Sequence, residues 1–160
     1  MKVALVGAGL IGQSIAHLLR ETGDLDVVAF DRDEHALDAQ GIDTRRVDSA
    51  NTFALRQALL GFDALVNALP YYLAIGVASA ARSASVYYFD LTEDVRATHA
   101  IRAIAEDSVQ AFMPQCGLTP GFIGIVAHDL ATRFDDLREV KMRMGALPEF
   151  PANTLKYNLI

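Results

Sequence analysis

Residues 2–19 read KVALVGAGLIGQSIAHLL. Lys2 to Val6 is an aliphatic, partly β-branched run of strand length, and from Gln13 onward the apolar residues fall at helical spacing. Between the two stand Gly7, Gly9 and Gly12, in the pattern G-x-G-x-x-G. Gly7 permits a tight turn, Gly9 lets backbone approach a pyrophosphate, and Gly12 lets the helix pack closely on the strand. The helix start adds unpaired amides and the positive end of its dipole, both of which favour phosphate. The competing reading is a glycine-rich turn that binds nothing. Placement between a strand and a helix favours the dinucleotide.

Leu25 to Phe30 (LDVVAF) reads as the second strand, and Asp31 at its end stands 19 residues after Gly12. A carboxylate there accepts from both hydroxyls of an adenosine ribose and repels a 2′-phosphate, so NAD is expected over NADP. The adjacent Arg32 either accommodates that phosphate, lies over the adenine or faces solvent. Asp48 and Ser49, after the third strand, either meet the adenine edge or cap the next helix. Asn67, Ala68, Leu69 and Pro70, after the fourth strand, fall at the predicted topological switch point, where open sheets bind ligands.

Short apolar runs and helical patterns alternate along the chain. Strands are predicted at Lys2–Val6, Leu25–Phe30, Ile42–Val47 (weak), Phe62–Asn67, Ser85–Phe89 and Val109–Met113. Helices are predicted at Gln13–Thr22, Glu34–Gln40, Asn51–Leu60 (capped by Ser49 or Asn51), Tyr71–Arg82, Asp94–Glu106 and Gly121–Phe134. Apolar strands joined by helices make an α/β protein with a doubly wound parallel sheet, a Rossmann fold of strand order 3-2-1-4-5-6. In VKMRM, Val140, Met142 and Met144 alternate with Lys141 and Arg143, the pattern of a strand with one wet face. The expected division is a dinucleotide-binding domain over 1–137 and the start of a truncated second domain over 138–160.

The 160 residues are 52% hydrophobic and 21% charged, with a formal net charge of -6. No basic cluster exceeds the pair Arg45–Arg46, which excludes nucleic acid and anionic membrane as expected partners. The glycines interrupt what resembles a secretion signal, and no apolar run approaches the roughly 18 residues of a membrane span. With a single cysteine, Cys116, the chain reads as a cytoplasmic protein. No His, Cys and acid spacing matches a metal site. A homo-oligomer is left open.

Hydride chemistry needs position first and then a group to manage a proton. Tyr71 and Tyr72 follow Pro70 and either face a substrate or pack as helix starters. Cys116 follows the sixth strand and is either substrate-facing or a small apolar filler. Asp90, after the fifth strand, either caps the next helix, the leading reading, or orients a loop. His17, His35, His99 and His128 fall on helices, away from the strand ends, and read as surface or core residues.

The combination of GAGLIG (7–12), Asp31, NALPYY (67–72), YYFDL (87–91) and MPQCGLTPGF (113–122) resembles the amino-terminal domain of the saccharopine dehydrogenase family, which includes lysine dehydrogenases. KMRMGALP (141–148) and KYNL (156–159) resemble the start of that family's second domain. The resemblance implies an NAD(P)-dependent oxidoreductase acting at the CH–NH bond of a small amino-acid substrate held between two domains. This chain would then be an incomplete, inactive fragment. Carried over, Gly7, Gly9, Leu10, Ile11 and Gly12 would contact the pyrophosphate and Asp31 the ribose, with Leu69 and Pro70 near the nicotinamide half. Thr119 stands where several members carry aspartate, so no carboxylate role transfers to that position. The rival reading is a regulatory NAD-sensing module without catalysis.

Overall fold

The computed structural model describes residues 1–36 and 41–145. Six strands form one sheet: β1 (Lys2–Val6), β2 (Asp26–Asp31), β3 (Asp43–Arg46), β4 (Ala64–Asn67), β5 (Tyr87–Asp90) and β6 (Phe112–Met113). The order is β3-β2-β1-β4-β5-β6 and every pairing is parallel, the doubly wound arrangement the sequence predicts. The helices are α1 (Leu10–Glu21), α2 (Thr52–Ala58), α3 (Ala74–Ala84), α4 (Val95–Ala105) and α5 (Phe122–Ala131).

Central strands are apolar on both sides because both faces are covered. Leu5, Ala29 and Val27 join Ala16 of α1 and Ile42 on one face. Val6, Val28, Phe30, Leu65 and Tyr88 join α2, α3 and α4 on the other. Each Val, Leu, Ile or Phe among them contributes about 1.5–3 kcal/mol on full burial. Alanine carries α3 close to the sheet: Ala74, Ala78, Ala80 and Ala81 are all buried. The edge strand β3 (DTRR) is polar and largely exposed, which discourages pairing with another chain.

Several boundaries differ from the sequence reading. The helix expected from Tyr71 opens as a 3-10 turn over Tyr71–Leu73, and α3 proper begins at Ala74. Strand β6 has two residues, because Asp107 (φ 59°) and the residues after it are spent turning out of α4; Val109 is exposed. Asn51, rather than Ser49, caps α2 by accepting from the Ala54 amide. Asp94, rather than Asp90, caps α4 by accepting from the Ala97 amide at 2.7 Å. Residues 140–144 form no strand; Val140, Met142 and Met144 are all exposed. A strand with one wet face needs a paired neighbour and a core beneath it, and the described residues supply neither there. The helix expected at Glu34–Gln40 lies partly outside the described residues; its first three are turn.

Candidate functional site

The strand order reverses between β1 and β4, and the glycine corner sits at the carboxyl end of that junction. Gly7 has φ +98°, and its amide donates to the Phe30 carbonyl at 2.9 Å. A Cβ placed on Gly12 would lie 2.0 Å from the Gly7 carbonyl oxygen, so α1 can start here only if position 12 has no side chain. At Gly9 a Cβ would meet nothing within 4 Å. The three glycines thus divide as turn, open approach and tight packing.

Gly9 is also the N-cap of α1 and supplies no side-chain acceptor. The first amides of the helix are therefore left for a ligand. The exposed Leu10 and Ile11 flank them. α3 and α5 also start without a side-chain cap, so what sets α1 apart is that its uncapped start follows the glycine turn at the switch point of the sheet.

Asp31 ties this corner to β2. Its Oδ2 accepts from the Ala8 amide at 2.8 Å and its Oδ1 from the Asp33 amide at 3.1 Å. In register, Asp31 stands opposite Arg46 of β3, and the exposed Arg32 follows it. Asp31, Arg32, Asp48, Ser49, Leu69, Pro70 and Tyr72 line one cleft of about 300 Å³. Asp48 accepts from the Ala50 amide, which sets the entry to α2. The fold thereby gathers residues far apart in sequence, and places Leu69 and Pro70 on the Asp31 side. Sequence reasoning missed Phe30, Val47, Ala50 and Leu73 in this cleft. Phe30 and Val47 precede Asp31 and Asp48 at strand ends, a signal that only the register makes readable.

A second, open cleft of about 600 Å³ lies on the far side of the α1 start, lined by Ile11, Ile15, Leu91, Glu93, Cys116–Thr119, Phe122 and Met144. The Cys116 thiol donates to the Met113 carbonyl at 3.1 Å. Burial, and then the charge of Asp90, push its pKa up, so at neutral pH it is a thiol and not an activated nucleophile. The Thr119 hydroxyl oxygen is buried without a hydrogen-bond partner among the described residues. Tyr71 sits outside both clefts, edge-on to Tyr72 at 5.9 Å between ring centres. All four histidines are exposed.

Between the clefts lies a buried polar group. Asn67 and Asp90 are register partners at the ends of β4 and β5, and are 2% and 1% exposed. Tyr88 donates its hydroxyl proton to Asp90 at 2.6 Å and accepts from the Asn67 side-chain amide at 3.3 Å. Burial first, and then the Asp90 hydrogen bond and charge, raise the Tyr88 pKa far above the ordinary phenol value, so it remains a donor. The Asn67 side chain faces this network, away from either cleft.

Among the described residues, no three His, Cys, Asp or Glu side chains gather to hold a metal ion, and no helix is long and apolar enough to cross a membrane.

The family model described as "Saccharopine dehydrogenase NADP binding domain" matches residues 3–113. Among solved structures, the chain is similar to apo saccharopine dehydrogenase (L-Glu forming) from Saccharomyces cerevisiae, with TM-score 0.73 and 19% identity over 82% of this chain and 31% of that one. It is also similar to GenD2 of gentamicin A biosynthesis in complex with NAD, with TM-score 0.62, 20% identity, and 82% and 38% of the two chains covered. A third is the NADPH-dependent quinone oxidoreductase of Escherichia coli complexed with NADPH, with TM-score 0.54, 22% identity, and 70% and 47% covered. At these identities the structures speak for the fold, and the chain spans under half the length of each.

Proposed function

The chain belongs to the saccharopine dehydrogenase NADP-binding domain family, and from that premise we propose that it serves an oxidoreductase acting on the CH–NH group of an amino acid. The observation that carries the binding half of this reading is the glycine corner. The α1 amides lack a side-chain cap, and the space over Gly9 is open. Those amides would hold the pyrophosphate, Asp31 and the 300 Å³ cleft the adenosine, and the far cleft the nicotinamide half. When bound, the nicotinamide supplies the hydride acceptor or donor. Leu91, Leu118 and Phe122 would exclude water beside it, and Glu93 is the acidic residue among those lining that cleft.

The amino-acid substrate is proposed from the family alone. A second domain would complete its pocket, and residues from 138 onward are proposed to begin that domain. Supporting this, α5 has no buried residue and exposes Phe122, Ile125 and Leu130, an apolar surface suited to being covered. The 160-residue chain alone is then expected to bind dinucleotide without turning over lysine or saccharopine.

The expected preference for NAD rested on Asp31 alone, and the family description points instead to NADP. Arg32 lines the same cleft as Asp31, a cation beside the carboxylate where a 2′-phosphate would lie, and Arg46 is the register partner of Asp31 on β3. We therefore expect NADPH to bind this chain at least as tightly as NADH. Parallel fluorescence titrations with NADH and NADPH decide it: NADH binding about tenfold tighter restores the preference for NAD, and no binding of either overturns the proposal.

A further inference from the structure

The buried network Asn67–Tyr88–Asp90 touches neither cleft with its side-chain polar atoms, yet it holds the backbone of three loops around them. Asn67 Oδ1 accepts from the Leu69 amide at 3.1 Å, in the loop after β4. Asp90 Oδ1 accepts from the Thr92 amide at 3.0 Å, in the loop after β5, and from the Gln115 amide at 3.1 Å, in the loop after β6. The Asp90 backbone carbonyl also accepts from the Cys116 amide at 2.8 Å. Gln115 has φ 67°, a left-handed conformation that a non-glycine residue keeps only when its surroundings impose it.

Strand β6 is too short to do this. With two residues paired to β5, it leaves the loop that starts at Pro114 with little ladder to anchor it. Asp90 replaces the missing ladder. A buried carboxylate with no cation partner among the described residues is expensive unless its oxygens are filled by donors. Here the donors are one phenol and two backbone amides, and charge-assisted bonds of this kind are the stronger class.

We propose that Asp90, oriented by Tyr88 and Asn67, is the positioning residue of the far cleft: it sets the 91–93 and 115–119 loops against the half of the dinucleotide beyond the pyrophosphate. It acts through those loops and not by contact with ligand. This rests on the dinucleotide reading, and the near cleft does not hang on Asp90: Asp31, Arg32, Asp48 and Ser49 are placed by β2, β3 and the turn into α2, and the Leu69 loop is held by Asn67.

Two probes separate the roles. ADP reports on the near cleft alone, and NADPH, through its nicotinamide fluorescence, reports on both. Asp90→Ala strips the acceptors from two amides, and NADPH affinity is expected to fall about tenfold while ADP affinity stays within about twofold. Asp90→Asn keeps an acceptor oxygen for the two amides and can donate to the Tyr88 hydroxyl, so it is expected to rescue most of the loss. Tyr88→Phe retains the ring stacked on Phe112 at 5.4 Å and decides the matter if Asp90→Ala does not fold. It should show the same split between probes at a smaller size.

Equal losses for ADP and NADPH would mean a merely structural role and overturn the proposal, as would NADPH bound with the parent's affinity by the variant. Failure of the parent to bind either probe would overturn the dinucleotide reading itself. Parent binding with no split in the variants overturns only the role of Asp90.

Discussion

The two clefts flanking the start of α1 are built by different means. The near side is built on regular elements: the backbone of the glycine corner and the start of α1, with a cleft beside them lined by the residues that end or follow β2, β3 and β4. The far cleft is made of loops tethered to a buried carboxylate, beside a two-residue edge strand. A backbone-built site tolerates changes of side chain but not the addition of one. A tethered site tolerates added bulk at its rim but not the loss of a buried acceptor.

The largest expected effect breaks the glycine corner at its tightest point. Gly12→Val puts side-chain atoms where a Cβ alone would lie 2.0 Å from the Gly7 carbonyl oxygen. Stability should drop by about 3 kcal/mol or more, read from the midpoint of urea unfolding. A midpoint equal to the parent's would show that α1 shifts freely, and the close packing assigned to Gly12 would be wrong.

Next comes Gly9→Val. Its Cβ enters open space, so folding should change by less than about 1 kcal/mol while NADPH affinity falls on the order of 100-fold. Calorimetric titration beside urea unfolding checks both halves. Unchanged affinity would remove Gly9 from the phosphate path. Loss of fold would erase the contrast between positions 9 and 12.

The smallest effect sharpens the far side. The Cys116 thiol, raised by burial and by Asp90, should be alkylated by iodoacetamide with a pH midpoint above that of an ordinary thiol. Below that midpoint the thiolate fraction falls tenfold per pH unit, so reaction near pH 7 is slow. In Asp90→Asn the midpoint should move down, since the nearby charge is gone. A midpoint at or below the ordinary value would show that neither burial nor that charge bears on the far cleft.

The difference in construction also explains what could be read in advance. Gly7, Gly9, Gly12 and Asp31 lie within one strand-helix-strand unit, and each meets its partner through local geometry. Their spacing alone therefore predicts the corner and the carboxylate beside it. Asp90 was expected to cap the following helix, because Asp ahead of a helix has that habit. Asp94 took the cap; strand alternation sets Asp90 on the same face of β5 as Tyr88, and the β4–β5 register brings Asn67 beside them. Nothing local in YYFDL distinguishes the two uses. Asn67, expected among ligand contacts, is likewise drawn inward by a residue 21 positions away. At 140–144 the alternation is plain, but alternation describes only a strand's two faces and cannot supply its neighbours.

What the sequence by itself determined is the strand-helix alternation, the parallel sheet with its reversal of order, and the glycine corner between β1 and α1. All three follow from short-range periodicity and from glycines whose lack of a side chain has an immediate steric meaning. Only the tertiary structure decided that Leu69, Pro70 and Tyr72 join Asp31 in one cleft, that β6 stops after Met113, and that Asp90 anchors the loops beyond it. Those outcomes depend on register between strands and on hydrogen bonds across 25 residues of chain, such as that from Gln115 to Asp90. A buried acceptor takes whichever donors folding brings to it, and their identity is set by the packing of the whole sheet.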